Sequence, residues 1–250
     1  MAPSDSIDAL IAAVLLALAH VFVTRLRHVT GSARNALLMA GAGVSLSYVL
    51  LYILPQLASK QDIMLASTKP GLLGVMENHV YAMALIGLVI YFGIAQFSAG
   101  GVELRTTASV LRYRAALIAT VFAYGAYSIL VGYIMVHSLN VELIAMVLFT
   151  FAMATYFMIS DYGLRRKWPD AYDKVIRWIL AVSVLIGWAL GVATEISENV
   201  KVLWFSFLAG VVLIDTIGEK LPRQAAGSFW AFLAGVLGFG VLVFITRLTA

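Results

Sequence analysis

A chain of 250 residues in which 62% of side chains are hydrophobic and only 12% charged, with a mean hydropathy of +0.95, lies outside the range of water-soluble domains and belongs in a membrane. It has no cysteine, which excludes disulfides and thiolate metal sites together. The net charge of +4 says little by itself, but the placement of the charges along the chain orients the molecule.

Apolar runs of about 17 to 25 residues, long enough to cross roughly 30 Å of hydrocarbon, are predicted at 7–24, 36–57, 79–96, 115–136, 141–160, 175–193, 202–217 and 228–245. The expected fold is an all-α transmembrane bundle of eight helices in one integral membrane domain. The first run is preceded by Asp5 and by no basic residue, so it is expected to be a retained span and not a cleaved leader. The connection from Ala58 to Asn78, polar and containing Pro70, can cap a mouth of the bundle or serve as a linker.

Thirteen of the 17 basic residues fall in the odd-numbered connections. They are Arg25, Arg27 and Arg34; Arg105, Arg112 and Arg114; Arg165, Arg166, Lys167, Lys174 and Arg177; and Lys220 with Arg223. The positive-inside rule puts those connections in the cytoplasm and both termini outside it. The plasma membrane of a bacterial-type cell is the expected location. These basic groups flank spans and lack interleaved aromatics, so they read as orientation signals or anionic-lipid contacts, and no nucleic-acid partner is expected.

Two spans share a pattern. Ala42-Gly43-Val44-Ser45-Leu46 is followed by Leu54-Pro55, and Ala209-Gly210-Val211-Val212-Leu213 is followed at the same spacing by Leu221-Pro222. The charge rule makes these copies antiparallel, as in the inverted repeats of many secondary transporters. Spans one to three and six to eight are then the paired repeats, with spans four and five as a central pair. Each proline is expected to end its helix.

An eight-span 3+2+3 plan with these motifs resembles the Zrt/Irt-like (ZIP) divalent metal transporters over nearly the whole chain. The resemblance rests on Ala42 to Tyr48 leading to Leu54-Pro55-Gln56, on Phe207-Leu208-Ala209-Gly210 leading to Glu219-Lys220-Leu221-Pro222, and on the third span from His79 to Gly87. It implies membrane transport of a zinc-class divalent cation as substrate, with no resident cofactor, and a homodimer as the family's common state. ZIP transporters place H-N-x-x-D-G in span four and H-E-x-x-H-E in span five. Here Tyr127-Ser128-Ile129-Leu130-Val131-Gly132 and Tyr156-Phe157-Met158-Ile159-Ser160-Asp161 occupy those places, so Asp161 alone matches a ligand. A dehydrated divalent ion needs several anionic or imidazole donors, and the departure points to a changed small substrate or to a non-transporting relative with an interaction or regulatory role.

The transport-path candidates are Tyr127, Ser128, Tyr156, Ser160, Asp161, Asp215 and Glu219. The hydroxyls among them can line a neutral path or hydrogen-bond packed helices. Asp161 and Asp215 are the metal-ligand candidates. Asp161 also stands beside Arg165, Arg166 and Lys167 as a possible ion-pair partner, and Asp215, deep in span seven, must face protein, water or a cation. Glu77, His79 and His137 lie toward the outer ends of their spans as candidate entrance groups, while His20 reads as a packed residue near the opposite end of span one. No span interior carries the lysine of a retinal protein, and neither protease pairs nor a phosphate loop occur, so no enzyme activity is expected.

Overall fold

In lipid every backbone N–H and C=O must find a partner within the protein, and helices satisfy that demand segment by segment. The computed structural model describes residues 3–29, 31–66, 80–99, 107–138, 143–218 and 229–249, and it is an all-α transmembrane bundle with no strand among those residues. The helices are α1 (Pro3–Phe22), α2 (Gly31–Tyr48), α3 (Leu54–Ala66), α4 (Val80–Ala99), α5 (Thr107–Ser138), α6 (Leu143–Lys167), the single turn α7 (Pro169–Ala171), α8 (Arg177–Ala193), α9 (Glu198–Gly218) and α10 (Phe229–Thr249). Among the described residues six stretches are long and apolar enough to cross a membrane, at Ile7–Leu26, Gly31–Ser59, Val110–His137, Ile144–Lys167, Pro169–Ala193 and Phe229–Thr246. Val80–Gln96 is a shorter apolar stretch, and α9 carries Glu198, Lys201 and Asp215 within its length.

Pro55 does not end its helix. It brings no N–H for the carbonyl four residues back, and the widened π turn Val49–Ile53 immediately before it lets α2 run on into α3. Such a turn absorbs a break in the hydrogen-bond ladder without terminating the helix. Leu221 and Pro222 of the second copy lie outside the described residues.

Helix contacts obey a symmetry. Exchanging α1 with α8, α2 with α9, α4 with α10 and α5 with α6 turns the α2·α10 contact into α9·α4, α1·α6 into α8·α5 and α2·α6 into α9·α5, and all six pairings are present. The α1·α8 and α2·α9 contacts map onto themselves. The α4·α5 contact is the strongest departure, with no comparable contact between α10 and α6 among the described residues, and the weaker α1·α5 and α6·α9 contacts likewise lack a comparable image. Repeat partners α1 and α8 run antiparallel, since the end of α1 at His20 meets Tyr172, just before α8.

Glycines place two of the close crossings, α2 with α10 and α4 with α9. A Cβ on Gly43 would collide with the Phe232 carbonyl oxygen, and one on Gly235 with that of Ala40. On the other side, a Cβ on Gly210 would collide with the Ala84 carbonyl and one on Gly87 with that of Phe207. In each case the carbonyl belongs to the residue one helical turn before the facing glycine. The Ala-Gly-Val copies are therefore two instances of one close backbone crossing, of the kind small residues permit between membrane helices.

Burial is inverted relative to a soluble protein. Leu85, Phe122, Val147, Trp178 and Phe244 are exposed, while His20, Ser160, Asp161, Ser206 and Asp215 are almost wholly buried. Polar groups turned inward with apolar ones turned outward is the pattern lipid demands.

Candidate functional site

The site grows from two consecutive residues on α6. Successive helical positions are about 100° apart, so Ser160 and Asp161 reach different neighbours. Ser160 donates its hydroxyl proton to Oδ2 of Asp215 on α9 at 2.9 Å. Asp161 turns toward α1 and the segment before α8. Its Oδ2 lies 2.6 Å from His20 Nδ1 and accepts from the Tyr172 hydroxyl at 2.6 Å. The Tyr172 hydroxyl also lies 2.8 Å from the His20 backbone carbonyl, and the His20 ring packs 4.2 Å from that of Phe157. Oδ1 of Asp161 and Nε2 of His20 are buried with no protein partner among the described residues.

Asp215 continues the set in the other direction. Phe207, Val211 and Asp215 follow at helical spacing on one face of α9. The Tyr156 hydroxyl interacts with the Asp215 carboxylate and with Tyr127, whose ring stands 5.5 Å from that of Tyr156. Tyr127 ends on the Met153 sulfur at 3.8 Å. Tyr127, Tyr156, Asp215 and Ser160 thus form one buried chain, bridging α5, α6 and α9.

A cavity of about 830 Å³ adjoins that chain. Met83, Tyr91, Tyr127, Leu130, Trp204 and Val211 are among the side chains lining it. It opens sideways past Ile90 and Phe122, which are 49% and 76% exposed. Its size and mostly apolar lining with a few hydroxyls are those of small-molecule pockets.

The other sequence candidates stand apart from this set. Ser128 donates back to the Tyr124 carbonyl of its own helix at 2.8 Å. His137 sits in the last turn of α5 with its ring 4.7 Å from that of Tyr133. Glu77, His79 and Glu219 lie outside the described residues. The expected pairing of Asp161 with the following arginines does not form. Arg165 instead donates from Nε and its terminal nitrogen to the two oxygens of Asp173, at 2.6 and 2.8 Å, because the turn after α6 folds Asp173 back onto it.

His20, which the sequence presents as a packed residue, shares Asp161 Oδ2 with Tyr172; an ionisable group within an apolar span is the signal that points to it. Tyr172 gave no signal, since its role depends on the turn at Trp168-Pro169. Among the described residues no three His, Asp or Glu side chains gather as a metal site, whereas zinc takes about four nitrogen, oxygen or sulfur ligands.

Geometry and composition together define an all-α, multi-pass membrane protein with a buried acidic and hydroxyl-bearing centre. No family model matches the sequence, and a search of curated proteins finds no match.

Proposed function

We propose that this protein is a membrane carrier of ZIP-like build whose cargo is a small, largely apolar solute bearing a cationic group, and that Asp215 receives that group. One observation carries the reading: the chain from Ser160 through Asp215 and Tyr156 to Tyr127 ends at the wall of an 830 Å³ apolar cavity. An apolar wall suits an apolar body, and a buried carboxylate suits a cation that sheds water only in part. A bare divalent ion gains nothing from such walls, and the donor set is short for it, so zinc is the less favoured cargo. In this reading the basic ends of α1, α2 and α6 face the cytoplasm, and rocking of the repeat units about α5 and α6 exposes the site to either side.

Uptake into proteoliposomes tests the reading, with phenyltrimethylammonium as a permanently charged probe and zinc, cadmium and manganese in parallel. Saturable uptake of the organic cation, lost in Asp215→Asn, is the expected result. Metal uptake with no organic cation uptake would return the cargo to the zinc class. Absence of all four fluxes would favour a non-transporting role for the bundle.

A further inference from the structure

A second apolar groove lies on the outer face of the bundle. It runs between α1 and α6 with a volume of about 620 Å³, and its walls include Ile11, Leu15 and Phe22 from α1 and Val147, Phe151 and Met158 from α6. Ile11, Leu15, Val147 and Phe151 are all about half exposed, so the groove faces the surrounding hydrocarbon. It extends from Asp8 to Phe22, a length of about 21 Å at 1.5 Å per residue, which is most of the roughly 30 Å hydrocarbon thickness.

Its two ends differ in charge. Asp8 stands at one end. At the other, the Arg25 guanidinium lies 5.7 Å over the ring of Phe22, the last groove residue of α1. Tyr162, one turn beyond Met158 on the same stripe of α6, has the Arg34 guanidinium 5.6 Å over its ring. Each wall thus ends in an aromatic ring bearing an arginine. Arg34 Nε is buried with no acceptor among the described residues. Stacking holds a guanidinium in place while leaving its N–H edge free to bind phosphate oxygens in a forked geometry.

We infer that the α1/α6 groove binds an anionic phospholipid, with an acyl chain along Ile11 to Phe22 and the headgroup phosphate held by Arg25 and Arg34. The acid at the far end disfavours the reverse placement, and the apolar walls distinguish a lipid from free phosphate. A bound lipid clamps α1 to α6, the two helices that carry His20 and Asp161. The inference is independent of the cargo proposed above.

Native mass spectrometry of the purified protein, exposed to equal amounts of dioleoyl phosphatidylglycerol and dioleoyl phosphatidylcholine, reads the preference directly and needs no variant. Two guanidiniums near a phosphate are expected to favour phosphatidylglycerol on the order of tenfold. The preference is expected to vanish in Arg25→Gln/Arg34→Gln and to persist in Arg112→Gln, which removes an exposed basic residue from α5. It is also expected to fall in Ala154→Trp, which fills the groove and keeps both arginines. Inorganic phosphate at the same concentration is expected not to displace the lipid. Equal retention of the two lipids, an equal loss in Arg112→Gln, or full retention in Ala154→Trp would each overturn the assignment.

Discussion

His20 on α1 and Asp161 on α6 meet at 2.6 Å, 141 residues apart in sequence, with side chains 1% and 0% exposed. Leaving a carboxylate or an imidazole in a bilayer interior without partners is costly. The pair is therefore a device that fixes α1 against α6, with the Tyr172 hydroxyl as a third clamp from the segment before α8. Removing one member is worse than removing both, because the remaining group stays buried and only partly satisfied. His20→Ala is expected to lower stability by about 1–3 kcal/mol, moderated by Tyr172. His20→Ala/Asp161→Ala is expected to recover part of that loss. Thermal unfolding in detergent, followed by tryptophan fluorescence, gives both values, and additive losses would remove the coupling.

The glycine crossings predict a contrast between positions. Gly210 abuts the Ala84 carbonyl, whereas a Cβ on Gly93 meets nothing within 4 Å. Gly210→Leu is expected to separate α9 from α4 at a cost above the about 1–3 kcal/mol of ordinary overpacking. Gly93→Leu is expected to be nearly neutral. Tm values of the two variants make the comparison, and similar shifts would contradict the crossing.

Tyr156→Phe removes the hydroxyl between Tyr127 and Asp215 and keeps the ring packed against Phe157 at 6.0 Å. Folding is expected to change little. Binding of phenyltrimethylammonium is expected to weaken roughly fivefold to tenfold, the equivalent of about one hydrogen bond. Equilibrium dialysis of the purified variant measures it.

Arg165 and Asp173 form a forked ion pair whose side chains are 17% and 30% exposed. Partial solvation limits its value, so Arg165→Ala is expected to cost no more than about 1 kcal/mol. A loss as large as that of His20→Ala would show that the turn after α6 matters more than its exposure suggests.

Helices were legible in the sequence because a bilayer leaves few other solutions: long apolar runs at Ala36 to Leu57 or Ala115 to Val136 can only be spans. The internal repeat was legible in Gly43 and Gly210, because close backbone crossings need the same small residue in both copies. Pro55 misled as a helix end, since a π turn absorbs what a proline otherwise breaks. Within the site, Tyr127, Tyr156, Ser160 and Asp215 were readable from polar residues in apolar spans. The partner of Asp161 was not, because the arginines adjacent in sequence are drawn to Asp173, and His20 arrives from the far end of the chain. The cavity was hidden for a related reason. Its walls come from four helices, and no stretch of sequence records how they diverge.

One labelling experiment joins the cavity to the buried acid. The chain has no cysteine, so Ala123→Cys, placed in the cavity wall, gives a single reporter. Its reaction rate with N-ethylmaleimide is measured with and without phenyltrimethylammonium, in the parent protein and in Asp215→Asn. Protection by the cation in the parent and its loss in Asp215→Asn is the expected result. Equal protection in both, or none in either, would contradict a cavity whose cargo is received by Asp215.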